Sequence, residues 1–558
     1  MRISHPKILF INLPALDIEG LSRFLALQPE SFKGLCMPMG ILYMAAYIKA
    51  KLPEAQTAIV DLAIALNRRP RKTDVCTFLN HEISLQAPWK PDIVAVSCLF
   101  SASHDIMERV ISISDELWPE ARIVAGGHHP SALGRQLLEN PSLDAVVTGE
   151  GEIPLLNIVR KLHIFGKSAT LNDISNVISR DAEFFQQSEN CCSAGNFPDL
   201  DCIPLPYWNL IDMDSYTSQG RRRPMDNGQN CKAATMITSR GCPFQCTFCA
   251  SHRVHGRKMR LRSTDSIISE MVQLKRLHDV DMILFEDDLF TALPDRTIEI
   301  LDAMKIPELN NMKIQFPNGL SVNSMTISLA KKLADSGMSI VNLAVESGSE
   351  YVQSEIIRKK VNLNKARELI SVFRNLGCIV RCYFILGFPG ETAEMMDQTI
   401  SFAHDCGCDW SVFSIATPLP GSEMYDQFIA RGEISHRPES WNMSNYFKRC
   451  FDTAEITAND LMDKVFIANM RVNFAENINL RNGDFTRALR LFKDVIHLHP
   501  EHPAALDGIA RCQMKLEDPL FHSTLTAFKS LIKNSIQARN DTEKCRSAGI
   551  RFLCDTCY

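Results

Sequence analysis

The chain is 558 residues long, 45% hydrophobic and 22% charged, with a formal net charge of −5 and nineteen cysteines. That length suits about three to four domains of ordinary size. The mild acidity argues against nucleic acid or an anionic membrane surface as partner, and no apolar run is long enough to span a bilayer. Cysteines scattered through so large a chain read as thiols in a reducing compartment rather than as a disulfide framework. Met1 runs almost directly into a strand-like segment instead of a signal peptide, so the expected location is the cytoplasm.

Residues 7–14 form a short apolar run closed by Pro14, as a buried parallel strand requires. Similar runs recur at 57–61, 93–97, 123–127 and 144–148, with helical patterns between them at 40–49 and 104–113. This alternation predicts a doubly wound, Rossmann-like α/β domain over residues 1–161, with its ligand site beyond the carboxyl ends of the strands. Those ends carry Asn12, Ser97, Ser101, Gly126, Gly127, Thr148 and Gly149. Small and polar residues there would let a large flat cofactor approach the backbone; a domain with no ligand is the plain alternative. Residues 162–230, with Cys191, Cys192 and a proline-rich stretch at 197–208, read as an extended connection, and the two cysteines as ordinary thiols.

Cys242, Cys246 and Cys249 follow a strand-like stretch at C-x3-C-x2-C spacing, and Gly241 and Pro243 suit the tight loop this demands. Three thiolates from one loop can hold three irons of a cubane cluster and leave the fourth iron open to a small molecule. A structural zinc site would need a fourth ligand, for which His252 and His255 are the nearby candidates.

Beyond the loop, strands and helices alternate again. Strand-like runs begin at 282, 314, 340, 379 and 410, with helical patterns at 266–278, 297–304, 326–336, 363–376 and 394–406. With the strand into the cysteine loop this makes about six βα units over 231–440, a partial barrel with its active site at the carboxyl ends of the strands. Those ends carry Glu286 to Asp288, Asn318, Glu346, Ser347, Gly387 and Glu391. For each carboxylate the alternative role is capping the helix that follows.

The cysteine spacing, with Phe248 just before Cys249, resembles the radical SAM superfamily. Residues 37–47, 91–97, 125–130 and 147–152 resemble the cobalamin-binding domain fused to many of its members, and the likeness to that fused group runs over roughly residues 5–430. The resemblance implies a [4Fe–4S] cluster on Cys242, Cys246 and Cys249. It implies S-adenosylmethionine (SAM) contacts from Phe248, Glu286, Glu346, Ser347, Gly387 and Glu391, and cobalamin at the strand ends named above. The D-x-H-x-x-G motif, whose histidine ligates cobalt from below in many cobalamin proteins, is absent; His128 and His129 are the substitutes on offer. The implied activity is reductive cleavage of SAM and functionalisation of an unactivated carbon, with cobalamin-dependent methyl transfer favoured. Ring formation or rearrangement, as in the anaerobic cyclase of chlorophyll synthesis, is the first alternative; a non-catalytic scaffold binding a partner through its tail is the second. The implied partners are a small-molecule or lipid-like substrate and an electron donor such as flavodoxin or ferredoxin.

Residues 441–558 read as a small helical domain. A hairpin at about 481–515 resembles one tetratricopeptide repeat, with Ala488, Leu489, Phe492, Ile496, Pro500, Ala505, Leu506, Ile509 and Ala510 at the packing positions. One repeat cannot bury its own faces as a solenoid, so a cap on the barrel is expected. Cys545, Cys554 and Cys557 are either an auxiliary metal or cluster site or exposed thiols.

Overall fold

The computed structural model describes residues 5–27, 32, 34–68, 73–180, 197–217, 231–436, 441 and 445–555. They fall into two compact units: Met1–Gln219, Lys232–Val280 and Pro418–Asn445 make the first, and Gly220–Cys231, Asp281–Thr417 and Tyr446–Tyr558 the second.

The first unit is built on strands β1 (Lys7–Asn12), β2 (Gln56–Asp61), β3 (Ile93–Ser97), β4 (Arg122–Gly126), β5 (Ala145–Val147) and β6 (Val177–Ser179). Their order is β2-β1-β3-β4-β5-β6; the first five run parallel and β6 runs antiparallel to β5. The strands are continuous apolar runs because the sheet interior has no wet face: Ile8, Phe10, Ile93, Ala95, Val124 and Val147 share one core with Ile41, Ala45 and Ile48 of the helix Met39–Lys51 and Leu155, Ile158 and Val159 of the helix Glu152–Phe165.

The core of the first unit extends past residue 161. Leu171, Ile174 and Val177 belong to the same core, Tyr207 and Leu210 pack against it, and β6 covers the open edge of β5. A three-residue strand is too short to display the alternation that reveals longer ones, so this part of the connection looks extended in sequence and is folded in fact. Cys191 and Cys192 lie outside the described residues. The first unit also holds β7 (Ala233–Met236) and the antiparallel pair β8 (Ser239–Arg240) and β9 (Arg260–Leu261), between which the cysteine loop runs.

The second unit carries the parallel pair β10 (Met282–Phe285) and β11 (Lys313–Gln315) and the parallel trio β12 (Ile340–Glu346), β13 (Ile379–Leu386) and β14 (Trp410–Ile415). A single bridge from Leu320 to Leu343 continues the parallel pattern beside β12, which is buried at every position. Helices return the chain after β11, β12 and β13, started by side-chain caps from Thr326, Asn362 and Thr392. The carboxylates considered for that task are not used: Thr392, one residue after Glu391, is the cap, and the helix Pro294–Ala303 that follows Asp288 starts without a side-chain cap.

The tail is helical from Ala458–Met470 through Phe485–Leu498, Pro503–Lys515, Phe521–Asn534 and Ile536–Ser547. Ala488, Leu491, Phe492, Ala505, Ile509 and Phe528 form one core together with Ile340 and Ile379, the first residues of β12 and β13, and Trp410 at the start of β14 packs on it. The tail therefore caps the amino ends of these strands. Buried Asp409 fixes the junction by accepting from Arg374 at 2.7 Å, Arg487 at 2.6 Å and Asn479 at 3.1 Å. Cys545 is not an exposed thiol: it lies inside this core, and burial pushes it up to about 11. The Cys554 side chain and Cys557 lie outside the described part. Among the described residues no helix is long and apolar enough to cross a membrane.

Candidate active site

Parallel register brings the carboxyl ends of the first sheet into line: Asn12 pairs with Asp61 and Ser97, and Ser97 with Gly126. Of the seven residues read from the sequence as cofactor contacts, several side chains are committed inward. Asn12 donates to Asp61 at 3.2 Å, Thr148 donates to the Asn176 carbonyl at 3.3 Å, and the Ser101 hydroxyl lies 2.9 Å from His129 Nδ1. Gly127 is required by the fold itself, since a Cβ there would lie 2.5 Å from the Cys98 carbonyl oxygen. The Gly149 amide donates to Ser131 at 3.0 Å. What this edge offers a cofactor is mainly backbone, which suits a large planar group.

His129 is fully buried. Its Nε2 faces His104 Nδ1 at 3.1 Å and its Nδ1 faces Ser101, while Trp441 packs edge-on against both rings. Burial, then the neighbouring imidazole, lowers its pKa to about 3. A neutral ring with both nitrogens engaged is poorly placed to bind cobalt. His128 instead sits with its ring 6.0 Å from that of His255.

The cysteine loop follows β8. Gly241 takes φ +89°, a left-handed turn in which a Cβ would strike the Lys258 carbonyl at 2.4 Å. Cys242, Cys246 and Cys249 are half-buried; the Cys249 amide donates to the Cys246 carbonyl at 3.2 Å and the Cys242 amide to the Gly256 carbonyl at 3.3 Å. Three partly exposed thiols on a backbone-pinned loop fit an iron–sulfur cluster with one open iron. His255, considered from the sequence as a fourth zinc ligand, has its Nδ1 bound to Glu150 at 2.9 Å.

That bond belongs to a buried ionic network that spacing alone did not reveal. Arg240, directly before the loop, holds Glu150 at 3.0 Å and Glu152 at 2.7 Å, and Arg260 on β9 also binds Glu150. Burial alone would raise Glu150, but His255, Arg240 and Arg260 together hold it down at about 2. Glu150 follows directly on Thr148 and Gly149, and Glu152 stands two residues further on. One cluster of charges thus ties the cysteine loop to the carboxyl edge of the first sheet. An acid-glycine-acid triplet after a strand was its only trace in the sequence.

In the second unit Glu346 ends β12 with φ +70°, at a register shift against β13. A left-handed non-glycine residue closing a buried strand is strained, and such strain gathers at functional sites. Its carboxylate binds Lys359 at 2.6 Å, a partner the sequence did not suggest. Ser347 is turned inward, 2.8 Å from the Thr399 hydroxyl. Glu391 is also internal, accepting from the amides of Gly387 at 2.6 Å and Phe388 at 3.0 Å, and burial raises it to about 7. Arg449 binds the Gly387 carbonyl and, at 2.9 Å, that of Ala416. Glu286 stands half-buried just past β10, where its carbonyl accepts from Asn318 at 2.9 Å. Phe248 is half-buried within the cysteine loop.

Residues 236–403 match the radical SAM superfamily, and residues 30–159 match the B12 binding domain. The chain is 28% identical over 475 residues to the cytidylyl-2-hydroxyethylphosphonate methyltransferase of Streptomyces wedmorensis, covering 80% of this chain and 86% of that one. It is 26% identical over 352 residues to the anaerobic magnesium-protoporphyrin IX monomethyl ester cyclase of Rubrivivax gelatinosus, covering 62% and 60%. Among solved structures it shares its fold with the cobalamin-dependent S-adenosylmethionine radical enzyme OxsB with aqua-cobalamin and S-adenosylmethionine bound, at TM-score 0.62, 16% identity and coverage of 98% and 84%.

Proposed function

We propose that this chain, a radical SAM enzyme built onto a B12-binding domain, transfers a methyl group from cobalamin to an unactivated carbon of a small molecule. The observation that carries the reading is the Glu150–Arg240–Glu152 clamp, which fixes the loop of cluster cysteines to the strand edge of the B12-binding sheet. A clamp of buried charges between two cofactor loops suits chemistry in which both cofactors act in one turnover. When bound, the cluster and SAM supply a hydrogen-abstracting 5′-deoxyadenosyl radical and methylcobalamin supplies the methyl group.

The residues of this chain then have separable tasks. Cys242, Cys246 and Cys249 hold the cluster. Glu346, oriented by Lys359, is the acceptor for a SAM hydroxyl or amino group, with Phe248 and Glu286 as further contacts. Ser347 and Glu391 act through the backbone: the first pins the end of β12, and the second shapes the Gly387 turn. The edge formed by Asn12, Ser97, Ser101, Gly126, Gly127, Thr148 and Gly149 receives cobalamin. An external one-electron donor such as flavodoxin or ferredoxin completes the reading, and with it a reducing compartment, the cytoplasm.

Anaerobic reconstitution with iron, sulfide, SAM, reductant and methylcobalamin tests the proposal. Substrate panels include cytidylyl-2-hydroxyethylphosphonate, on which the similar Streptomyces protein is named, and anaerobic cell extract. A product heavier by one methylene, labelled when the SAM methyl carries deuterium, is the expected outcome. Ring closure, the reaction named for the similar cyclase, would leave the carbon count unchanged and sink the methyl-transfer reading.

A further inference from the structure

Three thiols in the second unit stand outside every role described so far. Cys382 lies within β13, Cys406 caps the end of the helix Ala393–Asp405, and Cys408 precedes β14. All three are buried, and their sulfurs lie within 4.8 Å of one another. Gly407 between the last two takes φ +87°, and the resulting turn brings Cys406 and Cys408 together against Cys382. Cys382 pairs in register with Ser411, whose hydroxyl lies 3.3 Å from Cys408 Sγ.

We propose that Cys382, Cys406 and Cys408 form a sulfur-only site for one soft metal cation, copper(I), in the layer between β13 and the helix Ala393–Asp405.

The donor set decides the class of metal. No carboxylate or imidazole belongs to the cluster, which disfavours magnesium, calcium and manganese. Zinc wants four ligands, and Ser411 is a weak neutral candidate for the fourth. Copper(I) is content with three sulfurs, and thiolates select it. Entry of Cu⁺ releases thiol protons to solvent as thiolates form, and no electron moves. Gly407, in the turn between Cys406 and Cys408, is half-buried. The site is independent of methyl transfer and acts as a staple across β13, the helix end and β14. The competing account is apolar packing of three small thiols, which buried cysteines often adopt.

Full-length protein with its iron–sulfur cluster in place is titrated anaerobically with copper(I) against bicinchoninate, beside Cys408→Ser and the triple variant Cys382→Val, Cys406→Ala, Cys408→Ala. The wild type should take up one equivalent more than either variant and should rise in thermal midpoint on loading. Copper K-edge fine structure of the wild type, which needs no variant to fold, should show sulfur alone around the metal. Equal uptake by wild type and variants, or nitrogen or oxygen around copper, overturns the site. Displacement of copper by equimolar zinc overturns the copper assignment.

Discussion

Two buried glutamates, one in each compact unit, show how differently this chain holds its two sets of loops. Glu150 accepts from Arg240, Arg260 and His255 and is held at about 2. Glu391 accepts from two backbone amides, with Arg449 and Lys464 acting only as more distant charges, and rises to about 7. Desolvation is the largest influence on both. What separates them is compensation: two arginines and a histidine hydrogen bond more than repay the burial of a carboxylate, and two peptide dipoles do not. The cysteine loop is therefore fixed by charge, and the Gly387 turn by backbone shape around a carboxyl that gives up its proton reluctantly.

The contrast is easiest to break at its chemical end. Cys249→Ala removes one of three cluster ligands, and with Cys545, Cys554 and Cys557 also replaced, reconstituted iron and sulfide should fall to background and reductive SAM cleavage should vanish. Iron content near that of the wild type would remove the loop from its assigned role. Next comes the clamp. Arg240→Met leaves Glu152 buried without the cation the structure gives it, and such losses cost about 3–5 kcal/mol. Denaturant unfolding of the first unit should register that loss, and adding Glu150→Gln and Glu152→Gln should recover much of it. A change below about 1 kcal/mol would mean the network contributes little.

Glu391 should respond with the opposite sign to Glu150. Its folded pKa of about 7 lies above the ordinary value of about 4.3, so the folded state keeps the proton longer than the unfolded one. The stability it contributes is complete below about pH 4.3 and is lost as pH rises through about 7, by on the order of 3 kcal/mol. For Glu150, with its pKa depressed, stability is present above about pH 4.3 and lost as pH falls toward 2. Glu391→Gln keeps an acceptor for the two amides and removes the titration. The fall in unfolding midpoint between pH 5 and 8, expected of the wild type, should flatten in this variant; an unchanged slope would show that Glu391 ionises freely in the fold.

These couplings explain what could be read from sequence and what could not. The longer strands stand out because most are largely apolar runs, so the ends bearing Asn12, Ser97, Gly126 and Glu346 were legible as strand ends. The cysteine loop was legible because one tight turn carries all its thiols. Partners brought together by folding leave no such mark. Glu150 and Arg240 are ninety positions apart, Cys382 is twenty-four before Cys406, and nothing in a chain of side chains announces that Lys359 will meet Glu346. Backbone strain is equally silent at Glu346, since positive φ is signalled by glycine and this residue is not one. The short edge strand β6 escaped for want of length, and Cys545 looked exposed because it stands near a terminus.

A smaller effect is expected at Glu346 itself. Glu346→Ala should weaken SAM binding about tenfold or somewhat more, as loss of one charged hydrogen bond does, and leave cluster content intact. Glu346→Gly, which relaxes the positive φ, separates strain from contact: it should lose SAM affinity like the alanine variant while being the more stable of the two. SAM affinity unchanged in both would take Glu346 out of the pocket.

The smallest expected effect, none at all, is the most informative about cobalamin. No D-x-H-x-x-G motif is present, and the sequence offers His128 and His129, beside the Gly126–Gly127 turn, as substitutes. For His129 to ligate cobalt it would have to leave Ser101 and His104 and break its packing on Trp441. Each buried bond left unmade costs about 1–3 kcal/mol. Burial also pushes the pKa of His129 down to about 3. A cobalamin held without a histidine ligand would have no strong protein ligand to shed during methyl transfer. The paramagnetic resonance of protein loaded with cob(II)alamin should therefore show no nitrogen hyperfine splitting, and spectra of His129→Gln and His128→Gln should overlay that of the wild type. A nitrogen pattern that disappears in either variant would refute histidine-off binding and identify the ligand in the same experiment.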